Sequence, residues 1–234
     1  MSNTSHLRQL YPFLDGGRTD PKAMALALDE SVRQKAQNHV SVFEEFFDRN
    51  AEEIIASAQT IAETYEADGR LLTMGNGGSS CDAAHVAVEF QHPVTARRPA
   101  LPAFNLTQDI AMLTAVGNDV GMDHIYLRQV IAQGRKGDCL IGLSTSGNSG
   151  NLVRAFEKAK EMGLKTIGLA GMSGGEMAAL GLDHCLVVET DSIHRIQEVH
   201  VATYHILWDL VHTLLADSRG GLDTGAAAEE GASS

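Results

Sequence analysis

His85 and Glu89 stand four residues apart in LLTMGNGGSSCDAAHVAVE (71–89), a stretch whose second half has helical patterning. That spacing sets an imidazole and a carboxylate on one helix face, where they can share a metal ion or a proton. The stretch begins with an apolar run, 71–74, and breaks into a glycine-rich turn, 75–78, that contains Asn76, Gly77 and Gly78. Ser79 and Ser80 then open the helix. A strand, a glycine turn, a hydroxyl cap and a helix together offer backbone N–H groups and a positive helix end to an anion.

A second segment, GDCLIGLSTSGNSG (137–150), makes the first more specific. Residues 139–143 read as a buried strand, being short, apolar and bounded by turn residues. Ser144, Thr145, Ser146 and Ser149 then crowd hydroxyls at the start of a helix over 150–162. An ordinary N-cap needs one such hydroxyl. Four within six residues, with Gly147 relaxing the backbone between them, fit a phosphate. The loop holds no Lys or Arg, so it lacks the GK[ST] ending of a P-loop and must meet charge with neutral donors and a helix dipole.

These motifs must be carried by elements that can be read coarsely. Residues 1–21 are polar and read as a flexible arm, and 218–234 lack the apolar bulk to pack and read as a disordered tail. Helical patterns cover 22–47 and 50–67, with Asn50 between them as a cap, and a last helix covers 193–216. Strand signals near 70–74, 101–106, 138–143, 164–169 and 183–189 alternate with helices, which predicts an α/β domain over 22–217 with a parallel sheet covered on both faces. Ligands of such sheets bind outside the carboxyl ends of the strands, where both Ser/Gly loops fall. Asn118 and Asp119 lie in a Gly-flanked segment, VGNDVG, that reads equally as a turn or as part of a site.

Composition narrows the function. A 234-residue chain, 44% hydrophobic, suits one domain with a sizeable core. A net charge of −12 argues against nucleic acid and anionic membranes as partners. Cys81, Cys139 and Cys185 are far apart and show no CxxC spacing, which fits a reduced, cytoplasmic protein. No long apolar run predicts a membrane span and no signal peptide is read at the N-terminus.

Four motifs in order, GNGGSSCDAAHVAVE, VGND (116–119), STSGNS (144–149) and RIQEVHVATYH (195–205), resemble the sugar isomerase (SIS) family over roughly 38–216. Within it they are similar to the phosphoheptose isomerases, which interconvert sedoheptulose 7-phosphate and a heptose 7-phosphate. The resemblance implies a single SIS domain, a flavodoxin-like three-layer αβα fold with a five-stranded parallel sheet and an N-terminal helical extension. It implies Glu89 as base and His205 as acid/base, moving a proton between two carbons through an enediol. It implies substrate contacts from Asn76, Gly77, Gly78, Ser79, Glu89, Asn118, Asp119, Ser144, Thr145, Ser146, Ser149 and Gln197. It also implies one zinc ion on His85, Glu89, Gln197 and His205. Out of that context Glu89 reads as a surface residue and His205 as a core histidine. Gln197 and His205 are eight residues apart, about 12 Å along a helix, which strains a single-ion site and predicts residues contributed by neighbouring subunits. The resemblance points to a homotetramer, and the apolar positions Val199, Val201, Ile206, Leu207, Leu210, Val211, Leu214 and Leu215 offer a face for it.

The chain departs from the phosphoheptose isomerase pattern in two places. His92 and Pro93 stand where a Gly-Arg pair is usual, with Arg97 and Arg98 the nearest replacement cations, and His194 stands where an Asp is usual. Some SIS proteins bind a sugar phosphate or a protein partner without catalysis, the DnaA initiator-associating protein and transcriptional regulators among them. Such relatives lose catalytic or metal positions, all of which this chain keeps.

Overall fold

Five short runs of apolar residues form the parallel sheet, and the amphipathic stretches between them form its covering helices. The structure, a computed structural model, describes residues 21–95 and 98–218. In chain order the elements are α1 (Pro21–Glu66), β1 (Leu71–Gly75), α2 (Gly78–Gln91), β2 (Ala103–Asn105), α3 (Ile110–Asp119), a 3-10 turn (Met122–His124), α4 (Ile125–Gln133), β3 (Cys139–Ser144), α5 (Gly150–Met162), β4 (Lys165–Gly171), α6 (Gly175–Ala179), β5 (His184–Val188) and α7 (Ile193–Ser218). All five strands are parallel, in the order β2-β1-β3-β4-β5. This is the doubly wound, flavodoxin-like order, and its direction reverses between β1 and β3. The loops after β1 and β3 therefore leave the sheet side by side, with Gly75 paired to Leu143 at the last rung.

Alternation along the strands separates two cores. Leu71, Ile141, Leu143, Ile167, Leu169, Leu186 and Val188 face one layer, where they pack with residues of α1, α2 and α7. Leu72, Met74, Leu140 and Ala170 face the other, with α3, α4, α5 and α6. The chain divides after Ser41 into two compact units. The second, from Val42 onward, holds the sheet and both cores. All but Pro21 of the expected arm and all but Ser218 of the expected tail lie outside the described residues, and Pro21 begins α1.

Two expectations need correction. The N-terminal helices form one helix of 46 residues, and Asn50 does not cap a second. Its side chain turns back to donate to the Phe46 carbonyl at 2.8 Å, which satisfies it in mid-helix. Phe43 and Phe46 meet the Phe47 ring at 4.8 and 5.1 Å, and Phe46 before Asn50 and Ile54 after it join one core, so the apolar stripe runs on through Asn50. The apolar face of α7 is also largely spent inside the chain. Val199, Leu207, Val211 and Leu215 are 0–2 % exposed, whereas Ile206 stays exposed.

His200, on α7, is fully buried and donates from Nε2 to the Ala170 carbonyl at 3.1 Å, leaving Nδ1 without a hydrogen-bond partner. Burial, partly opposed by that bond, lowers its pKa from 6.5 to about 4. The folded state thus binds this proton less readily than the unfolded state, so the stabilisation is fully present above pH 6.5 and is lost as pH falls toward about 4. The loss amounts to about 3 kcal/mol. His200→Gln, which keeps an N–H donor and does not titrate, should flatten this part of the stability curve. Urea midpoints of both proteins at neutral and mildly acid pH test it, and equal slopes would contradict the assignment.

Candidate active site

The glycine turn after β1 enters α2 through Gly77, whose positive φ of 54° is a conformation that favours glycine. The expected hydroxyl cap is absent. Gly77 is the N-cap, Ser79 is buried, and Ser80 Oγ donates backward to the Gly77 carbonyl at 2.6 Å. At α5 the N-cap is Ser149, but its side chain makes no cap hydrogen bond and instead shares one with Ser144 Oγ at 2.9 Å. Neither N-cap residue closes its helix start with a side chain, although Asn151 Oδ1 accepts from the Leu152 N–H at 3.0 Å in the first turn of α5, so main-chain N–H groups of both starts lie at the switch point between β1 and β3.

The two loops are fastened to one another. Asn76 and Asn151 exchange amide hydrogen bonds at 2.9 and 3.0 Å. The Tyr126 hydroxyl donates to the carbonyl of Gly75 and, at 3.3 Å, to Asn76 Oδ1. The 144–149 loop is tightened by Asn148, whose N–H donates to Ser146 Oγ at 3.2 Å and whose Oδ1 accepts from the Glu176 N–H at 2.9 Å. Gly147 takes a φ of 66°, and a Cβ there would collide with the Gly174 carbonyl. Thr145 and Ser146 remain half-exposed at the mouth.

Along α2, His85 and Glu89 face α7. His85 Nε2 lies 3.1 Å from Glu89 Oε1, and His85 Nδ1 lies 2.8 Å from the Tyr204 hydroxyl. The His205 ring stands 5.0 Å from that of His85. Ligand atoms of His85, Glu89 and His205 all lie within 4.8 Å of one another, close enough to hold one metal ion. Two imidazole nitrogens and a carboxylate oxygen suit zinc, with room for further ligands. Burial first, and then the neighbouring His85, hold the His205 pKa below the ordinary imidazole value, with Glu89 pulling the other way. Burial, reinforced by the Asp82 and Glu89 carboxylates, raises the Tyr204 phenol well above its usual range. Asp82, one turn before His85, is itself raised by burial.

Glu89 and His205 thus meet within one chain. Gln197 does not join the three. Its amide lies against Gly78 at the first turn of α2, so tightly that a Cβ on Gly78 would collide with Nε2. From Gly78 to His85 the helix rises about 10 Å. Asn118 and Asp119 end α3 rather than forming a turn, are exposed, and are hydrogen-bonded to each other at 2.8 Å. Arg98 is committed to α7, bonding Asp209 at 2.7 Å and stacking over Trp208 at 4.7 Å, while Arg97 lies outside the described residues. Sequence reading missed Asn151, Tyr126, Tyr204 and Trp208. The first two were hidden because a lone Asn or Tyr has no spacing signature, and the last two because they read as ordinary apolar positions of a helix.

Residues 36–171 match the SIS domain family. The phosphoheptose isomerase of Helicobacter pylori (strain Shi470) is 40% identical over 190 residues, covering 81% of this chain and 98% of that protein. Among solved structures, the phosphoheptose isomerase of Neisseria gonorrhoeae is 37% identical with a TM-score of 0.74, covering 79% of this chain and 98% of that one. That of Francisella tularensis is 34% identical with a TM-score of 0.76, covering 80% and 98%. A crevice of neutral donors at one end of a helix and a His/Glu/His group two turns along it accord with these likenesses, and the chain belongs to the SIS domain family as a relative of the phosphoheptose isomerases.

Proposed function

We propose that this protein is an aldose–ketose isomerase that interconverts sedoheptulose 7-phosphate and D-glycero-D-manno-heptose 7-phosphate. The observation that carries the reading is the layout of α2. Its N-terminus lies beside the 144–149 loop at the switch point, and His85, Glu89 and His205 gather about two turns away. An extended phosphosugar whose reacting carbons lie far from its phosphate fits such a site.

Glu89, only partly exposed, is the base that takes the proton from one carbon and returns it to the next. His205, whose pKa burial lowers, passes the second proton between the two oxygens. The phosphate is held by Ser144, Thr145, Ser146 and Ser149 together with the N–H groups of both helix starts. Asn76, Gly77, Gly78 and Ser79 complete this end, and Gln197 reaches the sugar from α7. Asn118 and Asp119 are the remaining candidates for sugar hydroxyls. His85, Glu89 and His205 would hold a zinc ion, and Gln197 would have to leave its contact with Gly78 to join them. Such an ion supplies polarisation of the substrate carbonyl.

The non-catalytic alternative, a SIS protein that only binds a sugar phosphate or a protein partner, is disfavoured because the three titratable groups converge. We also propose a cytoplasmic homotetramer. Among the described residues no helix is long and apolar enough to cross a membrane, and Leu26, Leu28 and Val32 on α1 are 59–73 % exposed. A sedimentation experiment that returns a monomer would remove the assembly.

Glu89→Gln keeps shape and removes the base, so phosphosugar binding should persist while turnover falls by at least about a thousandfold. His205→Ala should behave similarly, and near-normal turnover of either variant at saturating substrate would sink the assignment. Replacing Ser144, Thr145 and Ser146 together with Ala should raise KM far more than it lowers kcat, because the phosphate is remote from the proton transfer. Unchanged phosphosugar affinity by calorimetry would show the loop to be no more than a helix start.

A further inference from the structure

Tyr204 is 2 % exposed, directly precedes His205, and has no part in the proton transfers above, yet its hydroxyl lies 2.8 Å from Nδ1 of His85. The chemistry of the partners fixes the direction of the bonds. Ionised Glu89 only accepts, so with a neutral ring the 3.1 Å bond to Glu89 requires the His85 proton on Nε2. Nδ1 then carries the lone pair, and the Tyr204 hydroxyl must donate to it. A metal ion beside Glu89 and His205 needs the lone pair on Nε2, which moves the ring proton to Nδ1. Tyr204 must now accept. A hydroxyl can serve both tautomers without moving; a phenyl ring serves neither.

Trp208 acts one turn further along α7, where its Nε1 donates to the Glu89 carbonyl at 2.9 Å. In a continuing helix that carbonyl would be bonded by the N–H of residue 93, but residue 93 is a proline and has none. The next carbonyl, of Phe90, is taken by the Leu101 N–H at 2.8 Å. The turn that bears Glu89 is thus held from outside its own helix.

We propose that Tyr204 and Trp208 are positioning residues of the site. Tyr204 sets the His85 ring and reverses its hydrogen bond when a metal ion takes Nε2, and Trp208 holds the main chain of Glu89 that Pro93 leaves unbonded. The inference rests on the metal reading of His85, Glu89 and His205. Tyr204→Phe removes one oxygen and keeps the packed ring, so calorimetric zinc titration and nitrogen-15 imidazole spectra of the wild type and this variant test it. Zinc affinity should fall about tenfold or more, as expected when an outer partner of a ligating histidine is lost. In the metal-free variant the His85 ring should shift toward a mixture of tautomers. A wild type that binds zinc and a variant with the same affinity and the same ring signals would overturn the role of Tyr204 alone. A wild type that takes up no zinc would overturn the metal reading and this inference with it. Trp208→Phe should lower kcat several-fold with phosphosugar affinity retained, and an unchanged kcat would remove Trp208 from the pair.

Discussion

The site depends on the parallel pairing of α2 with α7 at a fixed offset of 119 residues. Tyr204 meets His85 and Trp208 meets Glu89 at that separation, and Gln197 meets Gly78 at the same one. Steps of seven and four residues on both helices keep one seam in contact, because residues so spaced share a helix face. Gly78 lets the helices close at the N-terminal end, where any side chain would strike Gln197. Farther along, Ala83, Val86 and Ala87 of α2 and Val199 and Leu207 of α7 belong to one buried core. A shift of one residue would carry His205 off the seam, and with it the group formed with His85 and Glu89.

An acidic protein whose two glycine- and serine-rich loops carry no Lys or Arg must meet an anion there by local means. The long-range field of a net charge of −12 repels an anion. Each helix N-terminus offsets this by about 0.3–1 kcal/mol when exposed and up to about 2 kcal/mol when partly buried. The topology supplies two such termini where the winding direction reverses, and the Asn76–Asn151 pair fixes their spacing. Hydroxyls that bond to each other rather than to the helix, as those of Ser144 and Ser149 do, do not cap the main-chain donors of the helix start.

The other end of α2 shows how a departure from the family pattern is accommodated. Pro93 ends the helix early and strips a partner from the Glu89 carbonyl, and Trp208 supplies one. The same indole carries Arg98 on its face, with Asp209 closing the guanidinium, so the nearest described cation is bound to α7. The proline, the tryptophan and the arginine therefore form one contact set. His194 has no comparable explanation in the structure.

Much of this was legible in the chain because it is written in local periodicity. Largely apolar strand signals of five to seven residues, the i, i+4 pair of His85 and Glu89, and two hydroxyl- and glycine-rich turns after strands need no distant partner to be recognised. Since parallel strands must be joined by crossovers of fixed hand, the convergence of the two turns on one crevice followed as well. Tertiary structure decided what depends on register between distant elements. It joined His205 to His85 and Glu89 within one chain, sent Gln197 to the opposite end of α2, and gave Tyr204 and Trp208 their partners. It also ran α1 through Asn50, where the backbone carbonyl of Phe46 satisfied a side chain that otherwise reads as a cap. Contacts 119 residues apart leave no spacing signature in a single sequence, because their geometry is set by packing two helices on one sheet face.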